Sequence, residues 1–239
     1  MEFFSSAEDL KLWILARASS LAMVVEPCTL DDLQPEWIAD SDSIRSADGR
    51  FFSVEGRHIV QSSGREASGW KQPIIADEPL AFAAIIRTLS SKWYLVRAKA
   101  EPGNVGIKID GTDSHVLFAP PVQFSQGNFE NHQKALCGEL DQNGQPYHCV
   151  PFASAALPVL PEWAHSARWE STCADGARFD RKIVNLGCIS VKSPDHLADE
   201  LALSGSAQDF VWVSLPVLRH IRQVGWANGL LVSTMGLLV

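Results

Sequence analysis

A chain of 239 residues, 46% of them hydrophobic and 20% charged, has the composition of one globular domain able to bury a sizeable core. Its formal charge of −8 argues against sequence-independent binding of nucleic acid, which needs a basic footprint. That charge still allows a nucleotide ligand, because a few well-placed Arg and Lys hold a diphosphate. Cys28, Cys137, Cys149, Cys173 and Cys188 form an odd set without a CxxC pair, so reduced thiols are expected rather than a disulfide framework or structural zinc. The first residues carry Glu2 and Asp9 and no basic segment ahead of an apolar run, and the apolar stretches fall short of a membrane span. The expected setting is cytoplasmic, with no membrane partner.

In chain order, Ser6 to Met23 predicts an amphipathic helix. Ser5 or Ser6 caps it, Glu8 and Asp9 suit its first turn, and Leu10, Trp13, Ile14 and Leu21 share one face. A shorter helix is expected over Thr29 to Leu33, and Ser41 to Arg50 reads as a polar loop turning at Asp48-Gly49. Phe51 to Val54, His58 to Val60 and Lys71 to Ile75 read as short strands broken by glycines. Ala81 to Thr88 and Trp93 to Lys99 read as longer strands, the second placing Arg97 and Lys99 on one face. Val116 to Phe124 reads as a strand interrupted by Pro120-Pro121, and Gly138 to Glu162 as a long surface loop. Arg168 to Cys173 and Arg181 to Val191 suggest a hairpin around Asp175-Gly176. A short helix over Pro194 to Leu203, a strand over Phe210 to Val213, a helix over Leu215 to Val224 and an apolar last helix within Leu230 to Val239 complete the pattern. That last helix would dock on the core or on a partner subunit. The fold class expected is α+β with a mixed or antiparallel sheet flanked by helices, as an N-terminal helical segment (1–50) packed on one module (51–239).

Polar residues interrupt the core-like strands in clusters. They are Glu55-Gly56-Arg57 with Trp70-Lys71-Gln72-Pro73, then Arg97-Ala98-Lys99-Ala100-Glu101-Pro102-Gly103-Asn104, then Pro121-Val122-Gln123 leading to Asn128 and His132. Asp175-Gly176-Ala177-Arg178-Phe179 is a weaker fourth. A tryptophan before QPII, a strand ending in AKAEPGN, a P-V-Q segment leading to an N-F and a His, and a later G-x-RF resemble the NDP-hexose 2,3-dehydratase signature. The resemblance runs from about Phe51 to the C-terminus, and AKAEPGN is its most specific part. It implies a Nudix-related fold, and removal of the C2 hydroxyl from an NDP-4-keto-6-deoxyhexose. It also implies a homodimer, with a second copy standing in for the second module usual in that family. Phe118-Ala119-Pro120-Pro121 and Phe124-Ser125-Gln126-Gly127 depart from the family pattern, which bears on which sugar and nucleotide are used. No segment clusters glutamates as Nudix hydrolases do, so fold kinship does not carry the hydrolase reaction with it.

The chemistry sets its own demands. A C4 ketone acidifies the C3 proton, so losing the C2 hydroxyl needs a base at C3, an acid at the leaving oxygen and support for the C4 enolate. No redox cofactor is required, and no metal where the protein supplies hydrogen-bond donors. Glu101, at a Pro-Gly corner, is the first candidate for proton transfer; Lys99 would stabilise the enolate or hold the pyrophosphate. His132 is the alternative acid or base, with Tyr94 and Tyr147 left open. Arg57, Arg97 and Arg178 are candidate diphosphate ligands, Trp70 a stacking face, and Gln72, Asn104 and Gln123 readers of hydroxyls. The bland alternatives are a solvated Lys99/Glu101 pair, a core Trp70 and an Arg178 that pins a turn. His58, His115, His148, His165, His196 and His220 read as surface or satisfied core, and His148-Cys149 lacks further ligand spacing for a metal. The rival function is a binding module of the same fold without this chemistry, or a dehydratase or isomerase for a carbonyl compound that is not a sugar nucleotide.

Overall fold

The computed structural model describes residues 1–49, 52–60, 69–76, 80–90, 92–141, 144–147, 170–175, 183–195, 197 and 207–238. It is an α+β protein. Its largest sheet contains β1 (Phe3–Phe4), β6 (Leu80–Arg87), β7 (Trp93–Ala100), β10 (Val116–Ala119), β11 (Val122–Ser125), β12 (Glu170–Asp175), β13 (Ile183–Val191) and β14 (Phe210–Ser214). Strand order is β1-β14-β7-β6-β13-β12, with β10 added to β7 and β11 to β6. The sheet is mixed, since β13 runs parallel to β6 and β1 parallel to β14 while the other pairs are antiparallel. A smaller antiparallel sheet has the order β2-β3-β4-β5, formed by β2 (Trp37–Ala39), β3 (Ser43–Ser46), β4 (Ser53–Ile59) and β5 (Trp70–Ala76). A two-stranded ribbon pairs β8 (Lys108–Ile109) with β9 (Thr112–Asp113).

Side-chain alternation divides the large sheet's core in two. Val96 and Ala98 of β7 with Val211 and Val213 of β14 enter one apolar cluster, while Leu95, Phe210 and Trp212 enter the other. The first cluster is closed by α1 (Ala7–Ser20), which buries Leu10, Ile14 and Ala18 at successive spacings of four. Ser6 caps that helix by accepting the Asp9 N–H at 3.5 Å. Helix α3 (Leu215–Gln223) adds Val217, Leu218 and Ile221, and α4 (Gly229–Met235) adds Leu231 and Met235. The apolar C-terminal helix therefore docks on the core. Among the described residues no helix is long and apolar enough to cross a membrane.

Several expectations need correction. The stretch after Ser41 holds β3, because Asp40 accepts the N–H groups of Asp42 and Ser43 at 2.9 and 2.8 Å and so turns the chain into a polar strand. Gly56 does not break its strand. Strand β4 runs through it, pairing Gly56 with Pro73 of β5, an edge strand that tolerates a residue without an N–H. The region of Asn128 and His132, to which no element is assigned above, is a helix, α2 (Gln126–Leu136), with Ser125 as its N-cap. The segment at Thr29 to Leu33 is a single 3-10 turn, Asp31–Leu33. The β12–β13 hairpin is present, while its turn, Arg178, most of the loop at 138–162 and most of 194–203 lie outside the described residues.

Strands β6 and β7 pair only near their connection, at Ile86 with Leu95 and Arg87 with Tyr94. Beyond that point they part, and the Val116 to Ser125 segment enters the gap. Its first half pairs with β7 and its second half with β6. The change of partner falls at Pro120-Pro121, where two consecutive residues lack the N–H that a ladder needs.

Candidate active site

Glu101 follows the last residue of β7 at this parting of strands. The corner is a turn closed by the Asn104 N–H on the Glu101 carbonyl at 3.0 Å, with Pro102 at its second position. Buried Asn104 also donates its side-chain amide to the Lys99 carbonyl at 3.1 Å, which locks the corner onto its strand. On the other side, the Glu101 N–H donates to the His115 carbonyl at 2.9 Å. His115 has φ 57°, in the left-handed region that a non-glycine residue enters only at a cost, and its Nδ1 is buried with no hydrogen-bond partner.

Three elements converge on the Glu101 carboxylate. Lys99 Nζ reaches Oε1 at 2.6 Å, and Gln123 of β11 donates Nε2 to the same oxygen at 2.9 Å. Asn228 donates Nδ2 to Oε2 at 3.1 Å and to Gln123 Oε1, also at 3.1 Å. A carboxylate offers about four lone-pair sites. Oε1 has both of its sites filled, and Oε2 keeps one free of protein donors among the described residues. The Lys99 and Glu101 side chains each retain 28% of their exposure, enough for a ligand to reach them.

The electrostatics follow from this packing. Burial pushes the Glu101 carboxyl upward, but the hydrogen bond and charge of Lys99, with the bonds from Asn228 and Gln123, outweigh it and leave the group below its ordinary value. Burial first, then the charge of Arg97, lowers Lys99, and the Glu101 carboxylate opposes that trend only in part. Arg97 shares the Lys99 face of β7; burial brings it down to about 10, against the carboxylates of Glu101 and Asp209, so it stays a cation at neutral pH. Its guanidinium lies 6.0 Å from the centre of the Phe210 ring, and its Nε has no hydrogen-bond partner.

The other candidates sit on other elements. His132 is buried on α2, its imidazole held toward the neutral form by desolvation. Arg57, Trp70 and Gln72 sit on the smaller sheet, where Arg57 and Gln72 are cross-strand partners. Trp70 Nε1 donates to Gln72 Oε1 at 3.0 Å and Arg57 pairs with Glu55, so among the described residues their polar contacts are local. Tyr94 is buried in the first apolar cluster and is not part of the carboxylate network.

Across residues 7–227 the sequence matches the family model described as NDP-hexose 2,3-dehydratase. The chain belongs to that family. The match takes in α1 as well as the strands that build the Glu101 corner. Three relatives are each named dTDP-4-dehydro-6-deoxy-α-D-glucopyranose 2,3-dehydratase. The one from Amycolatopsis orientalis is 28% identical over 129 residues, covering 51% of this chain and 26% of its own length. That from Saccharopolyspora spinosa is 32% identical over 93 residues, 38% of this chain and 17% of its own length. That from Streptomyces violaceoruber is 27% identical over 125 residues, 49% and 25% respectively. The chain thus aligns with only about a quarter or less of these longer family members.

Within this family member the polar network has a participant that the sequence clusters do not contain. Asn228 stands 127 residues from Glu101 in the chain. Its local signal, an Asn-Gly pair before an apolar run, announces a helix N-cap, and it does cap α4 by accepting the Leu231 N–H at 2.9 Å. Its meeting with Glu101 depends on tertiary geometry. Gly225, with φ 75°, reverses the chain after α3. The next residues then run along β10, where Phe118 donates to the Trp226 carbonyl and accepts from the Asn228 N–H, both at 2.8 Å.

Proposed function

We propose that this chain catalyses elimination of water from an NDP-4-keto-6-deoxyhexose, with Glu101 as the base that takes the C3 proton. The observation that carries this reading is the Glu101 carboxylate itself, anionic, reachable, and held by Lys99, Gln123 and Asn228 with one position on Oε2 left for a proton. Family membership supplies the reaction class. In the proposed step the C3–H electrons form an enolate with the C4 carbonyl. The C2–O bond then breaks, hydroxide leaves as water on receiving a proton, and a C2–C3 double bond conjugated to the ketone remains.

Lys99 is assigned to the developing enolate oxygen. Burial and the Arg97 charge make its ammonium a readier donor than a solvated lysine. His132 is the alternative proton carrier, supported by its burial and by the packing of α2 on β11, the strand that brings Gln123 to the carboxylate. Gln123 and Asn104, which also steady the Glu101 corner, are proposed with Arg97 to line the sugar and diphosphate end. Arg57, Trp70 and Gln72 offer a second, more exposed set of ligand contacts on the smaller sheet, and Arg178 a further cation. No cofactor is part of this reading; the proposed assembly is a homodimer and the proposed compartment the cytoplasm.

Incubation with dTDP-4-dehydro-6-deoxyglucose and a reductant to trap the product, read by mass spectrometry, tests it. Loss of one water, abolished by Glu101→Gln, is the expected result. Unchanged substrate that still protects the chain against melting would make it a binding module, and neither reaction nor protection would remove the sugar-nucleotide reading. Light scattering checks the dimer, which a strict monomer would rule out.

A further inference from the structure

We propose that Asn228 is a positioning residue of the active site, a clamp at the N-terminus of α4 that aims the Glu101 carboxylate and presents Oε2 to the substrate. The inference rests on reading Glu101 as the proton acceptor. The orientation of the Asn228 amide is fixed by its partners. Its Oδ1 receives the Leu231 N–H at 2.9 Å, a group that only donates. Its Nδ2 therefore faces two acceptors at 3.1 Å, Glu101 Oε2 and Gln123 Oε1. With that oxygen occupied, Gln123 turns its own Nε2 toward Glu101 Oε1 at 2.9 Å. The three side chains form a closed ring in which each amide has one permitted orientation.

The ring is anchored at the backbone too. Asn228 retains 6% of its exposure, and its N–H bonds the Phe118 carbonyl at 2.8 Å on the strand beside Lys99. Leu231 and Met235, one and two turns further along α4, are buried in the core cluster that also holds Leu10 of α1. Seating of the last helix and aiming of the base are thus one event.

An Asn here could also serve the helix alone, and the two roles separate cleanly. Asn228→Asp and Asn228→Ser both keep an oxygen able to cap the Leu231 N–H, and both remove the amide donor from Glu101. Among the described residues the charged or titratable groups on the elements about Glu101 include Lys99 and Arg97 on β7, His115 at the head of β10, and His132 on α2, which packs on β11; β11 and α4 themselves contribute none. The Asp variant adds a carboxylate within hydrogen-bond distance of Oε2, so the pair would titrate together.

Carbon-13 NMR titration of the Glu101 carboxyl in the whole chain is the primary readout. The clamp predicts an upward shift of about one pH unit or more in Asn228→Asp, a smaller one in Asn228→Ser, and a matching move of the acid limb of kcat/KM with KM nearly constant. Titration curves and pH profiles that coincide with wild type in both variants would overturn it and leave only a helix cap. If Asn228→Asp folds too poorly to titrate, Asn228→Ser still decides by the same measurement. Adding Glu101→Gln to Asn228→Asp also relieves the repulsion: recovery of the Tm supports the clamp, and a Tm no higher than that of Asn228→Asp alone contradicts it. A shifted titration in a chain whose wild type dehydrates no keto-sugar would uphold the clamp and reject the proposed reaction.

Discussion

The large and small sheets both carry polar residues inside apolar strands, and they use them differently. On β4 and β5 of the small sheet the contacts close within one strand, two residues apart: Arg57 with Glu55, Trp70 with Gln72. Around Glu101 only the Lys99 contact is of that kind; the others cross 22 and 127 residues of sequence. A local pair leaves its members free to turn to solvent, as the 46% exposure of the Arg57 side chain shows. A group locked across three elements has one geometry, which suits the proton transfer proposed for Glu101.

The contrast makes unequal predictions. Glu101→Gln keeps the shape of the side chain and removes the proposed base, so kcat should fall by about three orders of magnitude with KM little changed and Tm lowered modestly at neutral pH, where the bonds to the carboxylate are lost. A fall of less than tenfold would move the chemistry away from the large sheet. In the wild type, activity should persist down to the ordinary glutamate range and fail below it, because the Glu101 value is depressed. Stability follows the same sign. The bonds to the carboxylate contribute above its unfolded value and are lost as pH falls through the lower folded one, a trend that Glu101→Gln should flatten in an acid melt.

Leu218→Ala, in the core that seats α3 against the large sheet, should cost about 3 kcal/mol by denaturant titration and leave KM intact in the folded fraction. Trp70→Ala on the small sheet should act on ligand binding, raising KM about tenfold, the equivalent of about 1.4 kcal/mol, without touching the acid limb. An unchanged KM would confine ligand contacts to the large sheet. Arg57→Ala removes a solvent-exposed ion pair and should change stability by no more than about 0.5 kcal/mol in the same titration.

How much of this was legible in the sequence depended on the range of the interaction. The apolar spacing of Leu10 and Ile14 and the cap at Ser6 mark α1, and the β-branched and aromatic runs mark β6, β7 and β14, because those signals lie within one element. The Lys99 and Glu101 pair was legible for the same reason, sharing one face at a spacing of two. Strand β3, with the sequence SIRS, was not, since its extended form depends on Asp40 turning the chain and on β2 and β4 beside it. Helix α2 is weakly encoded because Gly127 and a run of polar residues blur its periodicity, leaving the cap at Ser125 as the main cue. Asn228 is not among the residues singled out from the sequence: its cap signal is local, and nothing local encodes where α4 will seat beside Glu101.

The most direct test of the central claim is solvent exchange at C3 of dTDP-4-dehydro-6-deoxyglucose in deuterium oxide, followed by mass spectrometry with wild type and Glu101→Gln side by side. Glu101 as the base predicts deuterium uptake and loss of one water with the wild type, and neither above background with the variant. Equal exchange by both proteins would contradict it and place the base elsewhere.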